Sequence, residues 1–241
     1  MSDDSIYAGR DLEVMSFAEN YHRWILQVFK PFLGERVVEV GAGTGSFSEL
    51  VLEHNITSLT LVEPSIRMHQ ILSERINQTD SRMAIETYNS VFAKVAGQIK
   101  LKQRPDSIIY VNVMEHIADD MAELRAVYET LERDGRLFIF VPALQWLFGG
   151  FDKQIGHFRR YSRTELEEKC TRAGFKILKS VYFDFAGIVP WGIKYRLLKS
   201  NTLEVRSVKF YDRFVVPAAR TIESLIEPPI GKSVLLIAEK T

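Results

Sequence analysis

The chain has 241 residues, with 31 basic and 31 acidic side chains for a formal net charge of zero, and 46% of it is hydrophobic against 26% charged. This is the make-up of a folded globular domain rather than a disordered chain, and one domain of this length buries a core without covalent staples. Balanced charge argues against a generic nucleic-acid binder, and the single cysteine, Cys170, excludes an internal disulfide framework or a multi-cysteine metal site. The opening residues Met1 to Ser5 are acidic and polar, unlike a signal peptide. The longest apolar stretch, Leu137 to Phe148, contains Pro142 and Gln145 and falls short of the roughly 20 residues a spanning helix needs. A cytoplasmic, single-domain protein is expected.

In chain order, Leu12, Met15, Phe17, Trp24, Ile25, Val28 and Phe29 recur at helical spacing over about residues 11–30, stopping before Pro31. Arg36 to Val40 reads as a short buried strand ended by Gly41. A helix over Thr44 to Glu53 and a second strand over Thr57 to Val62 follow. Pro64 and Ser65 then open a helix with Met68, Ile71, Leu72 and Ile76 on one face. Met83 to Tyr88 is a weak third strand and Asp106 to Val111 a strong fourth. Next come a helix from about Asp119 to Leu131, a turn at Arg133 to Gly135, and a fifth strand over Arg136 to Val141. Strands separated by helices imply parallel crossovers in a doubly wound α/β sheet. Beyond this, a helix over Arg163 to Arg172 with Leu166 inward is capped by Gly174, and Phe175 to Phe183 is a strand. Gly187 to Glu227 is mostly helical, interrupted by Pro190 and Pro217, and Ser233 to Glu239 is a final strand.

The most informative segment is Glu39-Val-Gly-Ala-Gly-Thr-Gly45, between a strand and a helix, where a doubly wound sheet binds its ligands. Glycines let the backbone turn sharply and approach a ligand, and free N–H groups at a helix start favour a carboxylate or phosphate. A dinucleotide fingerprint needs a glycine three residues after Gly43, and that position is Ser46. Glu63 ends the second strand, where a carboxylate can accept both hydroxyls of a ribose. Asn112-Val-Met-Glu-His-Ile117 follows the fourth strand and so lies at the same carboxyl edge.

Together, Glu39-x-Gly-x-Gly-x-Gly45, Glu63 and Asn112 to Ile117 resemble a class I S-adenosylmethionine-dependent methyltransferase. The resemblance covers about residues 10 to 185. It implies a Rossmann-like seven-stranded sheet with helices on both faces, an antiparallel last strand inserted beside the fifth, and an extra helical cap from the C-terminal third. The domain then divides into an N-terminal helical cap (1–34), a cofactor-binding core (35–141) and an acceptor-side lid (142–241) carrying a helical insert (187–231) and the final strand. Asp152-x-x-x-Gly-His157-Phe-Arg-Arg-Tyr161 and Asn20-Tyr21-x-x-Trp24 further resemble a bacterial branch of small-molecule or glycoconjugate-associated methyltransferases.

The cofactor so implied is S-adenosylmethionine, with S-adenosylhomocysteine as product. Its carboxylate would meet the amides of Gly41, Ala42, Gly43, Thr44 and Gly45, with Glu39 near its ammonium and Glu63 on its ribose. Adenine would lie between Pro64 and Ser65 on one side and Ser90 and Val91 on the other, where many relatives carry an acidic residue at position 90. Asn112 and Val113 complete the cofactor side, and Tyr21 could close over the methionine end.

His116 and His157 are the candidate general bases, because an imidazole titrates near neutrality. Glu115, Arg159, Arg160 and Tyr161 are the candidate acceptor contacts. The arginines can clamp an anionic group, the alternative being pairing with Glu165 and Asp152. Glu115-His116 also resembles the Glu-x-x-Glu-His metal cluster of quinone-type O-methyltransferases, but Asn112 stands at the first carboxylate and no metal is predicted. Seven basic residues (Lys194, Arg196, Lys199, Arg206, Lys209, Arg213, Arg220) lie beside the apolar run Val181 to Trp191. They either form a plain helical cap or dock on anionic membrane around a lipid-linked acceptor. The expected function is methyl transfer to an O or N atom of a small-molecule or lipid-linked acceptor. An NAD-dependent oxidoreductase and a non-catalytic S-adenosylmethionine-binding protein are the alternatives.

Overall fold

A computed structural model describes residues 17–79, 83–198, 200 and 202–241. Seven strands form one sheet: β1 (Arg36–Val40), β2 (Ser58–Val62), β3 (Ala84–Tyr88), β4 (Ser107–Val111), β5 (Arg136–Pro142), β6 (Phe175–Phe183) and β7 (Ser233–Lys240). Their order is β3-β2-β1-β4-β5-β7-β6, as the doubly wound reading requires. β1 to β5 are mutually parallel, and β7 enters antiparallel between β5 and β6. The order reverses between β1 and β4, and the crevice above that reversal is where such a sheet takes its ligand.

Strand alternation sorts the core onto the two faces of the sheet. Val37, Ile109, Phe138, Phe140, Leu235 and Ile237 pack on one side with α1 (Glu19–Phe29) and α2 (Ser46–Leu52). Val38, Ile108, Tyr110, Leu137, Ile139 and Leu236 pack on the other. There they meet α4 (Phe92–Lys102), α5 (Asp120–Thr130) and, after the short α6 (Gly150–Gln154), α7 (Arg163–Arg172). Between β2 and β3, α3 (Ile66–Asn77) buries Met68, Leu72 and Ile76, and Ser65 caps it by accepting from the Met68 amide.

Several boundaries shift for local reasons. The first helix is described only from Glu19, and Leu12 and Met15 lie outside the described residues. α2 starts at Ser46 rather than Thr44 because Gly45 is left-handed at φ 83°. β3 is an edge strand, with none of its five residues fully buried, so its apolar pattern is faint. Gly174 (φ 106°) ends α7 as expected.

The C-terminal insert is one folded-over helical cap. α8 (Ile188–Trp191) runs into a wide π-helical stretch over Gly192–Leu197. α9 (Val205–Phe210) passes through a second, Tyr211–Val215, into α10 (Val216–Glu223). Pro217 sits in the first turn of α10, where no amide bond is required, and the wide turn before it absorbs the lost donor. Asp212 on the cap accepts from the amides of Asn20 (3.1 Å) and Tyr21 (2.9 Å), fastening the cap to the start of α1. Lys199 lies outside the described residues, and no helix among those described is long and apolar enough to cross a membrane.

Candidate active site

The glycine loop leaves β1 with Gly41, Gly43 and Gly45 all left-handed (φ 72°, 56° and 83°). A Cβ on Gly41 would stand 2.3 Å from Val113 Cγ2, so the loop closes only with glycine there. Most loop amides are already taken. Gly41 and Ala42 donate to Val62 O, Gly45 to Ala42 O, and Gly43 to Glu63 Oε2 at 2.8 Å. This corrects the expectation that the whole run from Gly41 to Gly45 offers its N–H groups to a ligand. The amides left over are those of Thr44 and Ser46 at the mouth of α2, and both residues line the cleft.

Glu63 is buried, and its other oxygen accepts from Ser65 N at 2.8 Å. It therefore shapes the loop as well as offering its remaining lone pairs to hydroxyls. Asn89 Nδ2 bridges Glu63 O and Pro64 O, joining the ends of β2 and β3. Pro64, Ser65, Ser90 and Val91 thus gather at this outer shelf, with Val91 exposed.

Glu39 lies beneath the loop, fully buried, and its Oε2 meets no hydrogen-bond donor. Burial pushes its carboxyl up to about 8, the nearby Ser48 hydroxyl opposing the shift and the Glu63 charge adding to it. At the end of β4, Asn112 is held left-handed (φ 54°), its amide donating to Phe140 O. Strain at a non-glycine residue on a cleft wall is typical of functional sites.

A tight turn over Met114–His116 follows, and the lid returns to meet it. Phe158 N donates to Glu115 O at 2.8 Å, which brings His157 against Glu115. His157 Nδ1 sits 3.1 Å from Asp152 Oδ1 and its Nε2 3.8 Å from Glu115 Oε1. Its ring lies 4.5 Å from that of His116. Burial pushes Glu115 up to about 7. Burial first, and His157 second, push His116 down to about 3, so His116 stays a neutral imidazole.

The structure divides the Arg159-Arg160-Tyr161 group that the sequence placed together at the acceptor. Arg160 is buried beside the cleft, its Nε on Asp152 at 2.8 Å, and lies 5.0 Å from the Trp191 ring. Arg159 and Tyr161 turn the other way, to Asp120 at 2.6 and 2.9 Å, and line no part of the cleft. Burial alone would raise the Asp120 carboxyl, but hydrogen bonds from Tyr161, Lys169 and Arg159 outweigh it and hold it low. Both residues therefore fasten the lid to α5. Tyr161 leaving Asp120 would take one of three donors from a buried carboxylate.

The other wall went unseen in the sequence. His22, Phe47, Phe151, Trp191 and Lys232 all face the cleft beside the expected Tyr21. The Lys232 ammonium lies 4.8 Å from the Tyr21 ring and is paired with buried Asp184 at 2.6 Å. A lone lysine before a final strand carries no signal in sequence. Only the fold brings it to the cofactor edge.

Comparison with known proteins agrees with this geometry. A family model described as a methyltransferase domain matches residues 15–180. The chain belongs to this methyltransferase family.

The methyltransferase is 28% identical over 185 residues to the probable polyketide synthase 41 of Dictyostelium discoideum, covering 66% of this chain but only 7% of that much longer protein. A SAM-dependent methyltransferase from Archaeoglobus fulgidus shares its fold, with a TM-score of 0.60 and 16% identity over 92% of this chain and 94% of that one. So does a putative sarcosine dimethylglycine methyltransferase from Galdieria sulphuraria, with a TM-score of 0.61 and 13% identity over 92% and 85%. Membership of this family implies S-adenosylmethionine as the cofactor. The donor set fits it: a buried carboxylate without a donor suits an ammonium, and spare amides at a helix start suit a carboxylate.

Proposed function

We propose that the methyltransferase acts on an O or N atom of a lipid-linked acceptor with an anionic group, at the surface of an anionic membrane. The bound cofactor supplies an electrophilic methyl on a sulfonium. The chain's task is to align that methyl with the acceptor in a site closed to water. Glu39, Thr44 and Ser46 hold the methionine end of the cofactor, with Glu63 toward the ribose. The acceptor's polar atom meets Glu115, His116 and His157, and its proton passes to the Nε2 of His157, which Asp152 orients through Nδ1. Arg160, whose Nη2 is buried without a hydrogen-bond partner, takes the anionic group.

The observation that carries the lipid-linked reading is a second cavity beneath the cap. It shares Tyr21, Trp191, Leu203 and Lys232 with the cleft and continues between Pro190, Tyr195, Val208 and Val216. An apolar extension of a polar cleft matches a molecule with a polar head and a hydrocarbon chain. The outside of the cap supports the same reading. Val189, Ile193, Leu197 and Leu198 are exposed, as are Phe210, Phe214, Ile222, Leu225 and Ile226. Arg196, Arg206, Lys209, Arg213 and Arg220 are exposed among them. Such a patch interleaved with cations suits an anionic interface.

The test is transfer of labelled methyl from S-adenosylmethionine into an extract of source cells, split into organic and aqueous phases. Label is expected in the organic phase. Label confined to the aqueous phase contradicts the lipid-linked acceptor.

A further inference from the structure

The group at the acceptor end of the cleft is better arranged for an ion than for three independent side chains. Glu115, His116 and His157 each present a ligand atom, and the three atoms lie within 4.8 Å of one another. Glu115 is fully buried, yet neither carboxylate oxygen meets a hydrogen-bond donor from another residue. A buried carboxyl left so is costly unless something else satisfies it. His157 is oriented as a metal-bound imidazole is: Nδ1 faces the Asp152 carboxylate at 3.1 Å, leaving Nε2 toward Glu115. Asp152 is itself held by Arg160 Nε (2.8 Å) and Gly149 N (2.9 Å), so the outer carboxylate is also fixed.

We propose that Glu115, His116 and His157 form a binding site for a divalent first-row transition metal ion, with Asp152 as the outer partner of His157. Two imidazoles and one carboxylate favour zinc, iron, cobalt or manganese over magnesium or calcium, which take oxygen ligands. Bonds of about 2.1 Å set ligand atoms about 3.4 Å apart in a tetrahedral site, so the group closes by about an ångström on binding. Three protein ligands leave the remaining positions to solvent or to an acceptor oxygen. In that role the inference rests on the acceptor placement above, because a ligated hydroxyl gives up its proton more easily. Ion binding itself is measured without any acceptor. The Asn112 position, which weakened the sequence case for a metal, is bypassed because His157 arrives from the lid, 41 residues beyond His116.

The experiment uses the full chain, stripped by chelator and titrated with zinc by calorimetry and with cobalt by visible absorption. One equivalent of each is expected, with ligand-field bands for bound cobalt. Both signals should fall at least a hundredfold in affinity in Glu115→Gln and His157→Ala, and about 10- to 100-fold in Asp152→Asn. S-adenosylhomocysteine binding reports whether each variant is folded, and Glu115→Gln, which keeps the side-chain shape, carries the test if His157→Ala fails to fold. No uptake by the wild type, or uptake that survives Glu115→Gln, overturns the site. His157 then reverts to a general base oriented by Asp152. Loss of homocysteine-cofactor binding in the wild type would instead undermine the cofactor assignment and leave the ion titration to be read alone.

Discussion

At the scale of single residues, the site depends on buried groups whose charge is set by what they meet. Glu39 is the clearest case. Its carboxyl is raised from an ordinary 4.5 to about 8, chiefly by burial. Between those values the folded, ligand-free protein holds a proton that the unfolded chain has lost, so stability falls as pH rises through the window. A cofactor ammonium stabilises the ionised form. Affinity for S-adenosylhomocysteine should therefore climb with pH, by up to about tenfold per unit, and level off above about pH 8. Titrations between about pH 6 and 9 check this, and Glu39→Gln should flatten the profile. Glu39, Glu63 and the three loop glycines were legible in the sequence because loop chemistry is local: residue type and spacing suffice. The partners of His157 were not. Asp152, Glu115 and His116 come from two segments far apart in sequence, brought together by the backbone bond from Phe158 to Glu115 and by the Tyr161 hydroxyl donating to Met114 O. Nor could sequence tell that Arg160 turns to the cleft while its neighbours Arg159 and Tyr161 turn to Asp120.

At the scale of elements, the strands announced themselves, and the cap did so only as a mostly helical stretch without element bounds. β1, β4 and β5 are covered on both sides, so β-branched and aromatic residues fill most of their positions. The cap leaves much of its apolar surface exposed and turns through two π-helical stretches, which blurs any 3.6-residue period. Its attachment rests on Asp184 at the end of β6. This buried carboxylate accepts from Gly187 N and the Tyr211 hydroxyl and pairs with Lys232 at 2.6 Å. Asp184→Ala removes one partner of a largely buried ion pair, which typically costs about 3 kcal/mol. At this chain length that is a fall of about 6–12 °C in Tm, read by thermal unfolding. An unchanged Tm would mean that the cap is held elsewhere, by Asp212 on the start of α1 and by Glu223, which accepts from the Asp184 and Phe185 amides.

At the scale of the whole molecule, the sheet order creates a crevice above β1 and β4, and the chain builds a different wall on each side. The glycine loop and the β2–β3 ends make a polar side, to which the proposed function assigns the cofactor. The lid and cap make the opposite side, with a buried Glu–His–His group, an arginine with a spare donor, and an apolar extension. The fold that carries the first wall is shared with solved structures at 13–16% identity. The second is the wall to which the proposed function assigns the acceptor. Both depend on the cleft taking S-adenosylmethionine in the glycine loop. The most direct test is calorimetric titration of the wild type and Gly43→Val with S-adenosylhomocysteine, with NAD as control. A β-branched residue at φ 56° cannot keep the loop, while the rest of the sheet is untouched. The expected result is saturable binding of S-adenosylhomocysteine alone, lost in a Gly43→Val protein that still unfolds cooperatively. Equal binding by wild type and variant, or binding of NAD in its place, would contradict the account.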